Sequence, residues 1–84
     1  MKETLQVNGH TIEINSSAWN GKEMVRYDGV EVSSRQNIWT SLSHHSFKVS
    51  EDGEDVVYEV QISGGFVGSG FVVRRNGIIQ GHKP

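Results

Sequence analysis

Half of the ten glycines in this chain directly follow an asparagine or an aspartate, and this pairing constrains the fold more than any other sequence feature. The pairs are Asn8-Gly9, Asn20-Gly21, Asp28-Gly29, Asp52-Gly53 and Asn76-Gly77. A two-residue type I′ turn needs positive φ at both positions, which Gly adopts freely and Asn or Asp adopts at small cost. Such pairs between alternating apolar stretches predict β-hairpins.

The apolar pattern around Asn8-Gly9 predicts the register of the first hairpin. With this pair as the loop, Val7 faces His10 and Leu5 faces Ile12, so the apolar side chains share one face of the sheet. A slip of one residue would turn these side chains toward water. The turn chemistry and the alternation therefore agree on one antiparallel pairing.

Other segments predict further hairpins by the same reasoning. The expected facing pairs are Tyr27 with Val30, Val25 with Val32, Arg75 with Ile78, and Val73 with Gln80, the last two in a shorter hairpin. Residues 44–50 and 56–62 also alternate apolar with polar side chains, which is typical of antiparallel strands with one wet face. The acidic loop 51–55 joins these two strands.

The complete pattern predicts an all-β fold, a compact antiparallel β-sandwich or small barrel of seven to eight short strands, with residues 1–84 as a single domain. Residues 38–42 have apolar groups on both parities; we favour a strand there over a short helix, because their composition is poor for an isolated helix. The sequence shows no linker or repeat. The predicted core contains Leu5, Val7, Ile12, Ile14, Val25, Tyr27, Val30, Val32, Phe47, Val49, Val56, Tyr58, Val60, Ile62, Phe71 and Val73.

Composition excludes several classes of protein. With 35% hydrophobic and 21% charged residues, the chain is neither polar enough for a disordered protein nor apolar enough for a membrane segment. The absence of cysteine excludes disulfides, Cys-ligated zinc and a thiol nucleophile. No apolar run of signal-peptide length follows Met1, so we expect a cytoplasmic protein.

No motif for catalysis or cofactor binding is assembled in the sequence. The glycine-rich stretch 63–71 fails as a phosphate loop because Phe71 occupies the position of the required lysine, so we interpret it as a flexible or bulged connection. His44 and His45 point to opposite faces of a strand and cannot share one ion there. His10 lies beside a turn and His82 in a C-terminal tail. We expect no enzyme activity, no metal site and no cofactor.

Charge leaves two binding alternatives open. Eight Lys and Arg against ten Asp and Glu give no overall field for a polyanion. Four of the ten acids lie in the loop 51–55, so the rest of the chain carries eight basic and six acidic residues. A local basic patch of Arg35, Arg74 and Arg75 is therefore the nucleic-acid alternative. The acidic loop is the cation-binding alternative, although a solvated hairpin tip is the favoured interpretation.

The two tryptophans are the residues most suggestive of recognition. Trp19 lies in the small, polar loop 15–21, where it is an anchor for a peptide, a sugar or a second subunit, or a lid over one end of the sandwich. Trp39 is interpreted as a core or interface residue. Pro84 is the only proline, so proline blocks no strand edge and edge pairing into a homodimer is available.

Short motifs in residues 21–32 and 44–78 resemble the β-sandwich domains of the Fas apoptotic inhibitory molecule. The motifs are Gly21-Lys22, Tyr27-Asp28-Gly29, Ser46-Phe47-Lys48-Val49, Ile62-Ser63-Gly64 and Asn76-Gly77. The resemblance implies a non-catalytic all-β sandwich that acts through protein contacts and carries over no active site. This chain departs from the family pattern in having one domain rather than two. We therefore expect a module that binds a protein partner or itself, without a role in the membrane.

Overall fold

A computed structural model describes residues 1–17, 20–36, 42–65 and 68–84, and these residues form eight strands and no helix. The strands are β1 Lys2–Val7, β2 His10–Ser16, β3 Lys22–Tyr27, β4 Val30–Gln36, β5 Leu42–Glu51, β6 Glu54–Gly65, β7 Gly68–Arg75 and β8 Ile78–Lys83. They form two four-stranded sheets, ordered β1-β2-β3-β4 and β5-β6-β7-β8, in which each strand pairs antiparallel with its sequence neighbours. The predicted fold class is confirmed in its all-β, antiparallel character, because the described residues form two four-stranded antiparallel sheets.

The chain divides into two compact units, unit 1 of residues 1–41 and unit 2 of residues 42–84. Each unit contains one complete sheet, in which the chain passes from one strand to the adjacent strand throughout. Such a meander needs only short connections between its strands. The Asx-Gly pairs supply most of these connections.

Four of the five Asx-Gly pairs form the predicted two-residue turns. Asn8, Asp28, Asp52 and Asn76 have φ between 49° and 52°, and the glycine after each has φ between 80° and 84°. The fifth pair differs, because only Gly21 has positive φ (69°) and the Asn20 side chain accepts a hydrogen bond from the Lys22 amide at 2.9 Å. This pair lies in the longer connection between β2 and β3.

The registers next to the turns are confirmed, but two of the predicted pairings farther along are wrong. Val7 faces His10 and Leu5 faces Ile12 as expected. In the other two hairpins the register shifts between Val25 and Arg26 and between Val73 and Arg74. A β-bulge adds one residue to one strand, and a strictly alternating pattern does not reveal it.

The consequence of each bulge is a one-residue change of partner. Val25 faces Ser33 rather than Val32. Val73 faces Gly81 rather than Gln80. Both bulges lie in the last strand of a sheet, β4 and β8.

The core prediction is largely confirmed. The buried hydrophobic residues, all of which were predicted, are Val7, Ile12, Ile14, Val25, Phe47, Val56, Tyr58, Val60, Ile62, Phe71 and Val73. Leu5, Tyr27, Val32 and Val49 are only half-buried. The prediction for Val30 is wrong, since its side chain is 64% exposed. It directly follows a turn and begins the edge strand β4, where no further strand covers it.

Two segments interpreted as irregular are strands. In the glycine-rich stretch, β6 continues to Gly65 and β7 begins at Gly68, with these residues facing each other in an unshifted ladder. His82 lies within β8 and not in a tail. Of the segment 38–42, only Leu42 lies in the described residues, where it is the first residue of β5.

A substitution at Gly70 tests the close approach of two backbones at the end of unit 2. A Cβ at this position would collide with the Lys83 carbonyl oxygen and lie 2.8 Å from the carbonyl carbon of Pro84. Because backbone atoms cannot rotate away as side chains do, we expect Gly70→Ala to lower the free energy of unfolding by about 1–3 kcal/mol in urea denaturation. Gly64→Ala is the matched control, because a Cβ there meets no atom within 4 Å. Equal stability of the two variants would contradict the described path of β8.

Candidate functional site

The acidic segment 51–55 is a continuation of two strands rather than a solvated loop. β5 runs to Glu51, β6 begins at Glu54, and only Asp52-Gly53 forms the turn. Glu51 is 2% exposed, so the expectation of a fully solvated tip is wrong for this residue. It has the same parity as Phe47 in a regular strand, which directs its side chain to the buried face.

A buried carboxylate anchors this end of unit 2. The Glu51 Oε1 atom accepts hydrogen bonds from Arg75 Nε at 3.0 Å and from Arg75 Nη2 at 2.8 Å. Its Oε2 atom accepts a hydrogen bond from the Tyr58 hydroxyl at 2.6 Å. We call these three residues the Glu51 cluster. Both carboxylate oxygens are therefore bonded, which offsets the cost of burying the charge.

Sheet register explains why these three side chains meet. Tyr58 of β6 lies directly between Phe47 of β5 and Arg75 of β7. The Phe47 and Tyr58 rings stack with centroids 5.2 Å apart. The stack directs the Tyr58 ring along the buried face, and the hydroxyl reaches the end of the hairpin where Glu51 lies.

The contacts of the Glu51 cluster favour the neutral form of Tyr58 and the cationic form of Arg75. Burial, and then the hydrogen bond to Glu51, raise the pKa of Tyr58 to about 12. The hydrogen bond to Glu51 also raises the pKa of Arg75 above its usual range. Tyr58 is therefore a neutral donor and Arg75 a cation at neutral pH. With both of its oxygens bonded, Glu51 is a structural anchor at this end of unit 2.

The strand pattern of the sequence contains a signal for the burial of Glu51. His45, Phe47 and Val49 alternate onto one face of the strand, so residue 51 lies on the same buried face if the strand extends to it. Four acids within five residues instead suggest a solvated tip. A buried acid among them becomes predictable only when its cationic partner, Arg75, is known to lie on the same face.

The acids of segment 51–55 do not converge. Glu51 points to the buried face, while Asp55 is exposed and forms an ion pair with Lys48 at 3.3 Å. Within the described ranges, no group of three His, Asp or Glu side chains is arranged to hold a metal ion. The geometry therefore gives no support to the cation-binding alternative at this segment.

The three arginines expected to form a basic patch are each associated with an acid, two by cross-strand register and one by side-chain hydrogen bonds. Arg74 and Arg75 are adjacent in β7 and point to opposite faces; Arg74 faces Glu59 in register and Arg75 binds Glu51. Arg35 is exposed on β4 in unit 1, and its register partner is the buried Glu23. Arg35 and Arg74 thus have a carboxylate residue as a cross-strand neighbour, and Arg75 binds the carboxylate of Glu51, which opposes the binding of a polyanion.

The other predicted site residues are more dispersed. Trp19 and Trp39 lie outside the described residues. His45 is 3% exposed and lies on the same face of β5 as Phe47, whereas His44 is exposed on the opposite face. His10 Nδ1 lies 2.7 Å from Asp28 Oδ2, and the His10 ring stacks on Tyr27 with centroids 5.0 Å apart.

Among the described residues of unit 2, the most exposed large apolar side chains lie on β8, which the sequence pattern did not predict. Ile78 is 67% exposed and Ile79 is 52% exposed. β8 is an edge strand, and its remaining side chains are exposed or half-exposed. We call residues 78–83 the β8 edge.

Comparisons with models of protein families, with curated protein sequences and with solved structures found no match to this chain. Among the described residues there is also no helix with the length and apolar character needed to cross a membrane.

Removing the buried charge tests the Glu51 cluster. Glu51→Gln replaces the carboxylate by a neutral amide, which leaves the Arg75 cation without its anion and the Tyr58 hydroxyl opposite an amide. We therefore expect the free energy of unfolding to fall by about 3 kcal/mol. Tyr58→Phe, which removes one charge-assisted hydrogen bond, should cost about 1.5–3 kcal/mol. The matched control is Glu54→Gln, because Glu54 faces Glu51 across the turn but is exposed. Equal effects of Glu51→Gln and Glu54→Gln in urea denaturation would show that the cluster does not stabilise the fold.

The pKa of Tyr58 predicts a loss of stability in alkali. Its folded-state pKa of about 12 lies above the value of about 10 that it has in an unfolded chain. Between these values the unfolded chain loses the proton first, so the stabilisation is complete below about pH 10 and is lost as the pH rises toward about 12. Urea midpoints measured across this range should fall less steeply in Tyr58→Phe than in the wild type. Parallel curves would contradict the assignment.

Proposed function

We propose that this protein is a non-catalytic interaction module that binds a protein partner or a second copy of itself through the β8 edge. The observation that carries the proposal is the exposure of Ile78 and Ile79, at 67% and 52%, on the last strand of a sheet. Covering exposed apolar area is favourable by about 25 cal/mol per Å². Sheet edges that expose apolar side chains are recurrent sites of association.

The bulge in β8 favours contact through side chains over addition of a continuous strand. The register shift leaves Gln80 as the extra residue, and its side-chain amide donates to the Ile78 carbonyl oxygen at 3.1 Å. A bulge twists an edge and interrupts its row of backbone groups. Ile78 faces Arg75 and Ile79 faces Arg74, so the two isoleucines lie on opposite faces of β8 and the partner would cover the start of this strand from both sides.

Charge indicates the character of the partner surface. Residues 68–84 contain Arg74, Arg75, His82 and Lys83 but no Asp or Glu. Arg75 is held by Glu51 and Arg74 faces Glu59, so acids of neighbouring strands already compensate part of this positive charge. The partner surface best suited to the β8 edge is therefore apolar.

The resemblance to the Fas apoptotic inhibitory molecule domains supports the same proposal. Of the motifs that carry it, Tyr27-Asp28-Gly29 and Asn76-Gly77 lie at hairpin turns of two antiparallel sheets. The family expectation is a protein-binding role without catalysis. We further propose a cytoplasmic location, which the absence of cysteine supports.

Sedimentation velocity from low to high micromolar concentration tests the self-association form of this proposal. We expect the wild type to associate and an Ile78→Thr, Ile79→Thr double variant to associate at least about tenfold more weakly, because apolar anchors dominate such interfaces. Val30→Thr is the matched control, since Val30 is equally exposed after the corresponding turn of unit 1.

A pull-down from the native host, with mass-spectrometric identification, tests the partner form. Proteins retained by the wild type and by Val30→Thr, but lost from the double isoleucine variant, would support the proposal. A wild type that stays monomeric and retains the same proteins as the double variant would overturn it.

A further inference from the structure

We infer that the chain is a tandem repeat of one four-stranded unit, and that the second copy contains a hairpin insertion compensated by two substitutions at a distance in sequence. The sequence alone shows no repeat, because the offset in residue number between equivalent positions of the two units differs from strand to strand. The inference rests on register, turns and hydrogen bonds, and it is independent of the proposed function.

The two units correspond strand by strand. Both are four-stranded antiparallel meanders with a two-residue Asx-Gly turn in the first and the last hairpin. Both have a register shift in the last hairpin, and in each it precedes the arginine of a Val-Arg pair, Val25-Arg26 in unit 1 and Val73-Arg74 in unit 2. A bulge is a local choice that a meander does not require, so its recurrence at one position is informative.

Side-chain to backbone contacts recur at the same place. In unit 1, Asp28 Oδ1 accepts a hydrogen bond from the Thr11 amide at 2.9 Å, and the Asp28 amide donates to the Thr11 carbonyl oxygen at 2.8 Å. In unit 2, Asn76 Oδ1 accepts from the Val57 amide at 3.0 Å, and the Asn76 amide donates to the Val57 carbonyl oxygen at 2.8 Å. The last turn of each unit is therefore bonded to the second strand by the same pair of contacts.

These contacts align the remaining positions. With Thr11 matched to Val57, a Glu faces the arginine of the Val-Arg pair in both units: Glu13 faces Arg26, and Glu59 faces Arg74. One buried-face row of unit 1, Leu5, Ile12, Tyr27 and Val30, then corresponds to the row Phe47, Tyr58, Arg75 and Ile78 of unit 2.

The correspondence between the two units shows one insertion, in the first hairpin of unit 2. In unit 1 the first turn, Asn8-Gly9, lies between the facing residues Val7 and His10. In unit 2 the corresponding residues Val49 and Val56 also face each other, but residues 50–55 lie between them and add two facing pairs before the turn. The longer hairpin is what introduces Glu51.

Two substitutions accompany that insertion. At the positions of Ile12 and Tyr27 in unit 1, unit 2 has Tyr58 and Arg75, which are the two residues that bond both oxygens of Glu51. Neither residue would have a buried carboxylate to bind without the insertion. The insertion and the two substitutions therefore form one compensated change to a common unit.

Replacing the unit 2 features by those of unit 1 tests the compensation. The first variant replaces residues 50–55 by Asn-Gly, the second carries Tyr58→Ile and Arg75→Tyr, and the third combines both changes. We expect each of the first two variants to lower Tm by roughly 10 °C, because each separates charged partners, and the third to recover at least half of either loss. A third variant whose loss equals or exceeds the sum of the other two would overturn the inference.

Single substitutions at Asn76 provide a second test if the hairpin replacement prevents folding. Asn76→Asp gives the last turn of unit 2 the residue of unit 1 and keeps the Oδ1 acceptor, so we expect a Tm close to that of the wild type. Asn76→Ala removes the acceptor from the Val57 amide and should lower Tm by roughly 5 °C. An Asn76→Asp variant as unstable as Asn76→Ala would contradict the equivalence of the two turns.

Discussion

The positive backbone φ required at the Asx-Gly turns is the constraint on which the rest of this structure depends. Each turn reverses the chain within two residues and thereby decides which residues face each other at the start of the hairpin. The alternation of apolar side chains then extends that register along both strands. The four two-residue turns therefore account for the first and the last hairpin of each sheet.

The β-bulges mark the positions beyond which turn geometry and local alternation no longer predict the register. The pairings beside the turns, such as Tyr27 with Val30, follow from turn geometry alone. Beyond the bulges the register changes by one residue, and Val25 meets Ser33. The bulges fall in the edge strands β4 and β8, where a twisted backbone protects an otherwise open row of hydrogen-bonding groups. In β8 the protected edge still exposes Ile78 and Ile79, which is why we place an interaction surface there.

The Glu51 cluster shows how contacts between residues distant in sequence can bury one acid of an otherwise exposed acidic segment. Acids at a hairpin tip suggest solvent and solubility, and most acids of segment 51–55 are indeed exposed. Glu51 is the exception because Tyr58 and Arg75 satisfy both of its oxygens on the buried face. The same contacts bind Arg75 to Glu51, so the charge of this arginine is paired within unit 2.

The sequence by itself determined the all-β class, four two-residue turns, their adjacent registers and the hydrophobic residues that are buried in the described part of the chain, since each of these depends on neighbours a few positions apart. Only the tertiary structure decided the exposure of Val30, the burial of Glu51, the pairing of Arg75 and the bulged registers of β4 and β8. Those features depend on which strand lies at an edge and on which side chains share a face across strands. Such relations join residues distant in sequence, and periodicity within a single strand contains no information about them.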